Sequence, residues 1–419
     1  MQPAALLELT TELVHRVLEL EHPADGVVSD FFRAHRALGS RERHTLAETA
    51  YTVLRQRPAL QHLARSGKGE MARRLAVLAW QGNPAFLRAA LDDAERAWLE
   101  RAAAVDRTTL PEKLRHNLPD WLAEPLQRSL GEEFWAFVAS IDGPAPLDLR
   151  VNAFKAKRDE VQAALLAQGI EAVVTPYSPL GLRVHGKPAL HKLDVFLRGD
   201  VEVQDEGSQL LALMLEARRG EMVVDFCAGA GGKTLALGAA MRNTGRLYAF
   251  DTSGHRLAAL KPRLARSGLS NVYPVQIAHE RDDRIKRLAG KIDRVLVDAP
   301  CSGVGTLRRN PDLKWRQTPA SIDELTAKQA AILASAARLV KPGGRLVYAT
   351  CSLLEAENEA IVAAFSEAAV GQFSPLPAAQ ILEHAQVGQA QSLVLGDALR
   401  LWPQRHGTDG FFATAWQRT

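Results

Sequence analysis

The sequence predicts an α/β protein: a mostly parallel sheet covered by helices on both faces, preceded by a small α+β insert and an all-helical N-terminal region. Three observations carry this. From Glu221 onward, short apolar runs alternate strictly with helical stretches, the pattern of βαβ units rather than hairpins. The first of those runs leads into a glycine-rich turn that opens a helix. The first third of the chain instead keeps its apolar residues at spacings of three and four, as on one face of a helix.

The chain has 419 residues, room for two or three domains. Hydrophobic residues make up 47% and charged residues 24%, so each domain can bury a core. A net charge of +4 permits a nucleic-acid partner without demanding one. Three cysteines, Cys227, Cys301 and Cys351, are too few for a disulfide framework and carry no zinc spacing, which fits a reducing compartment. The first 22 residues place Glu8, Glu12 and Arg16 among their apolar positions, unlike a signal peptide. No run of about 18 apolar residues suggests a membrane span. The expectation is a soluble, cytoplasmic, monomeric protein without a bound metal.

Residues 1–141 read as a helical RNA- or partner-binding domain. Leu6, Leu9, Leu13, Val14 and Val17 share a face, as do Leu46, Ala50, Val53 and Leu54 after the Gly39-Ser40 break; 71–80 and 85–98 continue the pattern. Residues 142–206 change character at Asp142-Gly143-Pro144. Strands are expected at 147–151, 172–174, 181–185 and 201–204, with a helix at 161–166. Arg150, Arg183 and Lys187 offer basic groups to RNA on a face of this sheet.

Residues 207–419 form the α/β domain, with strands at 222–226, 246–251, 272–277, 294–298 and 345–350 and a long helix at 322–339 before Pro342-Gly343-Gly344. The turn Cys227-Ala228-Gly229-Ala230-Gly231-Gly232-Lys233 follows the first strand, so a backbone can approach a ligand closely. A phosphate-cradling loop needs Gly where Cys227 stands, and the dinucleotide pattern needs Gly or Ala where Thr234 stands. What fits is a ribose-binding acid: Asp251 closes the second strand 20 residues after Gly231. A ribose without a phosphate suits S-adenosyl-L-methionine.

The fourth strand ends in Asp298-Ala299-Pro300-Cys301 and the fifth in Thr350-Cys351-Ser352. Both thiols then lie on the carboxyl edge beside the cofactor turn. Carbon 5 of a pyrimidine is a poor nucleophile; a thiolate added to carbon 6 activates it, which is covalent catalysis. Asp298 can hydrogen-bond the cytosine amine and protonated ring nitrogen. The basic segment with Arg308, Arg309, Lys314 and Arg316 can guide an RNA backbone.

The set CAGAGGKT, VDAPCSGVGTLRRNPDLKW and YATCSLLEAENE, with VQDEGSQLLA and RHGTDGFFATAW, resembles the Sun/Fmu family of RNA cytosine-5 methyltransferases over about 145–419. LGSRERHTLAETAYTVLR resembles the NusB-type domain of the bacterial members that modify small-subunit rRNA. The resemblance implies a Rossmann-like S-adenosylmethionine-dependent methyltransferase domain with an added antiparallel C-terminal strand, an RNA-binding insert, and a substrate cytosine in rRNA. It implies Cys351 as nucleophile, Cys301 as the group that assists product release, and the 227–233 turn, Asp251 and Asp298 around the cofactor and base. The family usually has an acid after the third strand; here His279 takes that slot, so Glu280 or Asp282 would substitute, and Ala230 stands where Pro is common. Other readings remain: an RNA-binding ribosome-assembly factor with an inactive methyltransferase domain, a tRNA rather than an rRNA enzyme, and a DNA cytosine methyltransferase using Cys301.

Overall fold

The computed structural model describes residues 1–186 and 188–419. They form two compact units: Met1–Pro144 with Thr306–Pro319, and Ala145–Gly305 with Ala320–Thr419.

The first unit is helical. Helices Pro3–Leu18, Ser40–Arg55 and Met71–Leu78 bury Leu7, Leu13, Leu46, Val53, Leu54 and Leu75, the apolar faces visible as periodicity. Its unexpected member is the short segment Thr306–Pro319. Lys314 Nζ donates to Arg55 O at 2.7 Å and Trp315 Nε1 to Leu54 O at 2.7 Å, while Asp312 accepts from the Ala24 amide at 3.2 Å. These bonds satisfy helix-end carbonyls and an N-terminal amide that would otherwise lack partners. Arg308 and Lys314 are buried here, and burial lowers the Lys314 pKa to about 7. Half of the basic segment expected to guide RNA is thus core of the helical unit.

The second unit contains two sheets. The smaller consists of β1 (Leu147–Val151), β2 (Ala172–Val174), β3 (Gly181–Val184) and β4 (Val201–Val203), antiparallel in the order β2-β3-β1-β4. One face, with Leu149, Val151, Leu182 and Val201, packs on the helix Arg158–Ala167 through Val161 and Leu165. The charged groups of the other face are engaged within the unit. Arg150 is buried and donates to Gly232 O at 2.7 Å and to the Gln204 side chain. Arg183 pairs with buried Asp148 through two bonds of 2.7 and 3.0 Å. Glu202 pairs with Arg263 at 3.0 Å and with Arg266. Burial takes Arg150 out of the surface role expected of it, whereas the Arg183 guanidinium is engaged with Asp148 but remains partly exposed. Lys187 lies outside the described residues.

The larger sheet is built on five parallel strands: β5 (Met222–Asp225), β6 (Arg246–Asp251), β7 (Val272–Gln276), β8 (Ile292–Asp298) and β9 (Val340–Thr350), in the order β9-β8-β5-β6-β7. Their sequences are nearly continuous apolar runs because both faces are covered. Val295, Val297 and Tyr348 face one core with Phe226, Leu333 and Trp416; Leu296, Val347 and Ala349 face the other with Leu211, Leu235 and Leu401. Four antiparallel strands follow: β10 (Phe373–Leu376), β11 (Val394–Leu395), β12 (Ala398–Leu401) and β13 (Phe411–Arg418). β13 runs along β9, and its outer edge is shared by β12 and β10. The resemblance implied only one of these; the others are too short to show a period. β9 also begins at Val340, before the Pro-Gly-Gly break, through a register irregularity against β8.

No helix among the described residues is long and apolar enough to cross a membrane.

The Asp148–Arg183 pair fixes β1 to β3, and Asp148 also accepts from the Glu206 amide at 3.2 Å. Removing one member of such a pair leaves a guanidinium largely out of water. Asp148→Ala is expected to lower the unfolding free energy by about 3 kcal/mol, measured by urea denaturation.

Candidate active site

Four loops at the carboxyl ends of β5, β6, β8 and β9 converge. After β5, Gly231 has φ of +84° and a Cβ there would lie 2.1 Å from the Leu260 side chain, so only glycine fits between turn and helix. Gly229 has φ of +56° and no atom within 4 Å of the same construction, leaving open space above the turn. At the end of β6, Asp251 accepts from the Gly229 amide at 2.8 Å and the Ser253 amide at 2.7 Å. The acid and glycine turn expected to share a ligand are therefore bonded to each other.

After β8 and β9 the thiols meet: Cys301 Sγ and Cys351 Sγ are 3.3 Å apart. The loops are tied by Ala299 N to Ala349 O at 2.9 Å and Gly305 N to Cys351 O at 2.9 Å. A Cβ on Gly305 would stand 2.1 Å from Gly410 O and 2.7 Å from Cys351 O, so the glycine permits the approach. Lys233 reaches across from the turn to Asp298, Nζ to Oδ2 2.7 Å. The structure thus gathers Lys233, Asp298, Cys301 and Cys351 on one side and Asp251 with Gly229 on the other.

Glu280 stands apart. It is half-buried and pairs with neighbouring Arg281 at 3.5 Å. Asp282, its alternative, accepts from the Ala278 amide at 2.9 Å and the Arg284 amide at 2.9 Å as a helix cap. Sequence reasoning passed over Glu357 and Asn358. Glu357 is fully buried and accepts from Ser302 N at 2.8 Å, Ser302 Oγ, Ser352 Oγ and Gln329 Nε2 at 3.0 Å. Asn358 accepts from Thr350 Oγ1 and donates to Ser352 O at 3.0 Å. The signal was present, an acid-amide pair just after the Thr-Cys-Ser turn, but Glu355 and Glu359 beside it hid which acid is internal.

The charges are uneven. Burial pushes the Cys227 thiol up, and Asp225, Asp298 and Asp251 push it further, which disfavours its thiolate. The Cys301 pKa is raised first by its hydrogen bond with Cys351, then by burial, the Cys351 charge and Glu357. Burial opposes the Lys233 ammonium, but Asp298, Cys351 and Asp225 outweigh it and raise its pKa.

Asp225, buried beneath the turn, bonds Thr234 at 2.7 Å and has no partner for its other oxygen. Burial, then Asp298 and Asp251, raise its pKa to about 7. The unfolded chain ionises this group near pH 4 and the folded chain near 7, so folding loses stability as pH rises between them. Against Asp225→Asn, wild-type unfolding free energy is expected to fall progressively from about pH 4 to about pH 7 and to level off above. Urea titrations across that range measure the difference.

Two family models match the chain: "16S rRNA methyltransferase RsmB/F" over residues 212–417, and the "Methyltr_RsmF/B-like, ferredoxin-like domain" over residues 118–191. The chain is 37% identical over 300 residues to the probable ribosomal RNA small subunit methyltransferase B of Synechocystis sp., covering 71% of this chain and 66% of that protein. It is 32% identical over 296 residues to the probable ribosomal RNA small subunit methyltransferase B of Bacillus subtilis, covering 70% and 65%. The chain thus spans just under two thirds of these relatives' lengths. Among solved structures, PH0851 superposes with a TM-score of 0.82 at 27% identity over 99% of both chains. A methyltransferase homologue from Pyrococcus horikoshii superposes with a TM-score of 0.63 at 27% identity, over 75% of this chain and 100% of that one. The Rossmann-like methyltransferase fold expected from sequence is therefore present, and the chain belongs to the RsmB/F methyltransferase family.

Proposed function

We propose that this protein transfers a methyl group from S-adenosylmethionine to carbon 5 of a cytosine in small-subunit rRNA, through a covalent adduct on Cys351. The observation that carries the reading is the thiol pair 3.3 Å apart beside the Lys233–Asp298 pair. One thiol suffices for nucleophilic catalysis; two in contact suit a reaction that must both form and break a carbon–sulfur bond.

The residues fit the cofactor. Asp251, held by the Gly229 and Ser253 amides, is assigned to the ribose hydroxyls, with the Cys227–Lys233 backbone beneath. Glu280 is assigned to the adenine side by its position after β7. Asp225, Asp251 and Asp298 surround the turn with Lys233 as counter-charge, an acidic surplus that favours a sulfonium cation over the neutral product. Bound there, S-adenosylmethionine supplies an electrophilic methyl group.

The chain's own residues do the rest. The Cys301 thiol, kept protonated, donates its hydrogen bond to Cys351, and Lys233 lends positive charge nearby. The sulfur of Cys351, its proton lost to solvent, adds to carbon 6 as the ring electrons move toward carbon 5. Asp298, oriented by Lys233, holds the cytosine amine and ring nitrogen. After methylation the Cys301 thiol passes its proton to the departing sulfur of Cys351, 3.3 Å away, and takes the carbon 5 proton in its place, so the sulfur–carbon bond breaks and both thiols are restored. The target base must be unstacked for carbon 6 to be reached.

Cys351→Ala is expected to abolish both methyl incorporation into 16S rRNA and any denaturation-resistant protein–RNA adduct. Cys301→Ala is expected to accumulate the adduct while turnover falls by about 10²-fold or more. Tritium incorporation and gel-shifted adduct measure the two; normal methylation by Cys351→Ala would overturn the reading. Bisulfite sequencing of rRNA from cells with and without the gene identifies the base.

A further inference from the structure

We propose that Glu357 is the positioning residue of this site: one buried carboxylate sets the spacing of the two thiols by holding the serine that follows each cysteine. The inference rests on the reading that Cys301 and Cys351 work as a pair.

Cys301 and Cys351 belong to loops 50 residues apart in sequence, and each loop begins where its strand ends. Past that point the backbone joins them only through Ala299 N to Ala349 O and Gly305 N to Cys351 O. Glu357 adds a connection through side chains. Its Oε1 accepts from the Ser302 amide at 2.8 Å and from Gln329 Nε2 at 3.0 Å; its Oε2 accepts from both serine hydroxyls. Gln329 Nε2 also donates to Pro300 O at 3.0 Å. The Glu357 backbone carbonyl accepts from Tyr348 Oη at 2.7 Å, anchoring the residue to β9. Asn358 completes the set on Thr350 and Ser352.

The residues so held are 300 and 302 on one loop and 350 and 352 on the other. They flank the cysteines, so each sulfur of the pair 3.3 Å apart is carried on backbone held on both sides. Four donors on one carboxylate satisfy its acceptor capacity, so the buried charge is compensated rather than left as a penalty. Its proximity also favours the protonated form of Cys301.

The test uses the full-length protein and a readout independent of methylation. Diamide oxidises two adjacent thiols to a disulfide and is itself reduced, so its rate reports thiol proximity and alignment. Glu357→Gln keeps the shape but sets an amide N–H₂ against hydroxyl and amide donors. It is expected to slow Cys301–Cys351 disulfide formation by about tenfold and single-turnover methyl transfer by about 100-fold, the cost of a small misplacement, with S-adenosylmethionine affinity unchanged. Ser352→Ala, which removes one donor and leaves the carboxylate, is expected to change both rates in the same direction by about threefold to tenfold, and serves if Glu357→Gln does not fold. A lowered melting temperature with unchanged disulfide and single-turnover rates would make Glu357 merely structural and overturn the proposal. Wild-type protein that methylates no RNA would instead overturn the function above, while the disulfide rates still decide the role of Glu357.

Discussion

The register between β8 and β9 is the constraint on which the site depends. Asp298 lies opposite Ala349, and the thiols follow three and two residues later. A slip of one residue would turn every side chain of one strand to the opposite face. Here a slip of β9 would exchange Tyr348 with Val347 and Ala349 between two filled cores. Because both faces are buried, the hydrophobic effect fixes the register far more strongly than any contact among the reacting groups. The chemistry inherits its alignment from packing several residues away.

What packing cannot supply is polarity beyond the strand ends. Asp225, Asp251 and Asp298 gather there with Lys233, and each is tied down differently. Asp251 is occupied by two backbone amides, Asp298 by an ammonium, and Asp225 by one hydroxyl. Like charges this close cannot all ionise freely, and the most buried of them carries the raised pKa. The cost of that crowding falls on a residue buried under the turn.

Much of this was legible in the sequence, for reasons that also mark the limit. The parallel strands were visible because strands covered on both faces are apolar throughout, and their ends fall within a few residues of the turns that punctuate them. The carboxyl-edge residues followed, since a βαβ pattern sends every such loop to one edge. Arg150 was misread because composition does not distinguish a solvated cation from a buried, bonded one; its partner, Gly232, is 82 residues away. The segment Thr306–Pro319 was misread for the same reason. Its lysine and arginines resemble an RNA-binding tail until Arg55 and Leu54 are seen to accept its hydrogen bonds. Glu357 was invisible because nothing local separates it from the acids two residues on either side.

That last residue explains why a polar group is buried beside the sulfurs where an apolar one would pack. Apolar contacts resist separation but tolerate sliding, so they cannot hold two loop ends to a fraction of an ångström. Hydrogen bonds to a charged acceptor are directional and roughly twice as strong as neutral ones. A shared acceptor also couples the loops: moving Ser302 disturbs the oxygen that Ser352 uses, so the two shift together or not at all. Buried ionic groups often contribute little net stability yet specify one arrangement over its neighbours. On the proposed mechanism, in which one sulfur attacks a ring and the other relieves it of a proton, that arrangement is what the carboxylate provides.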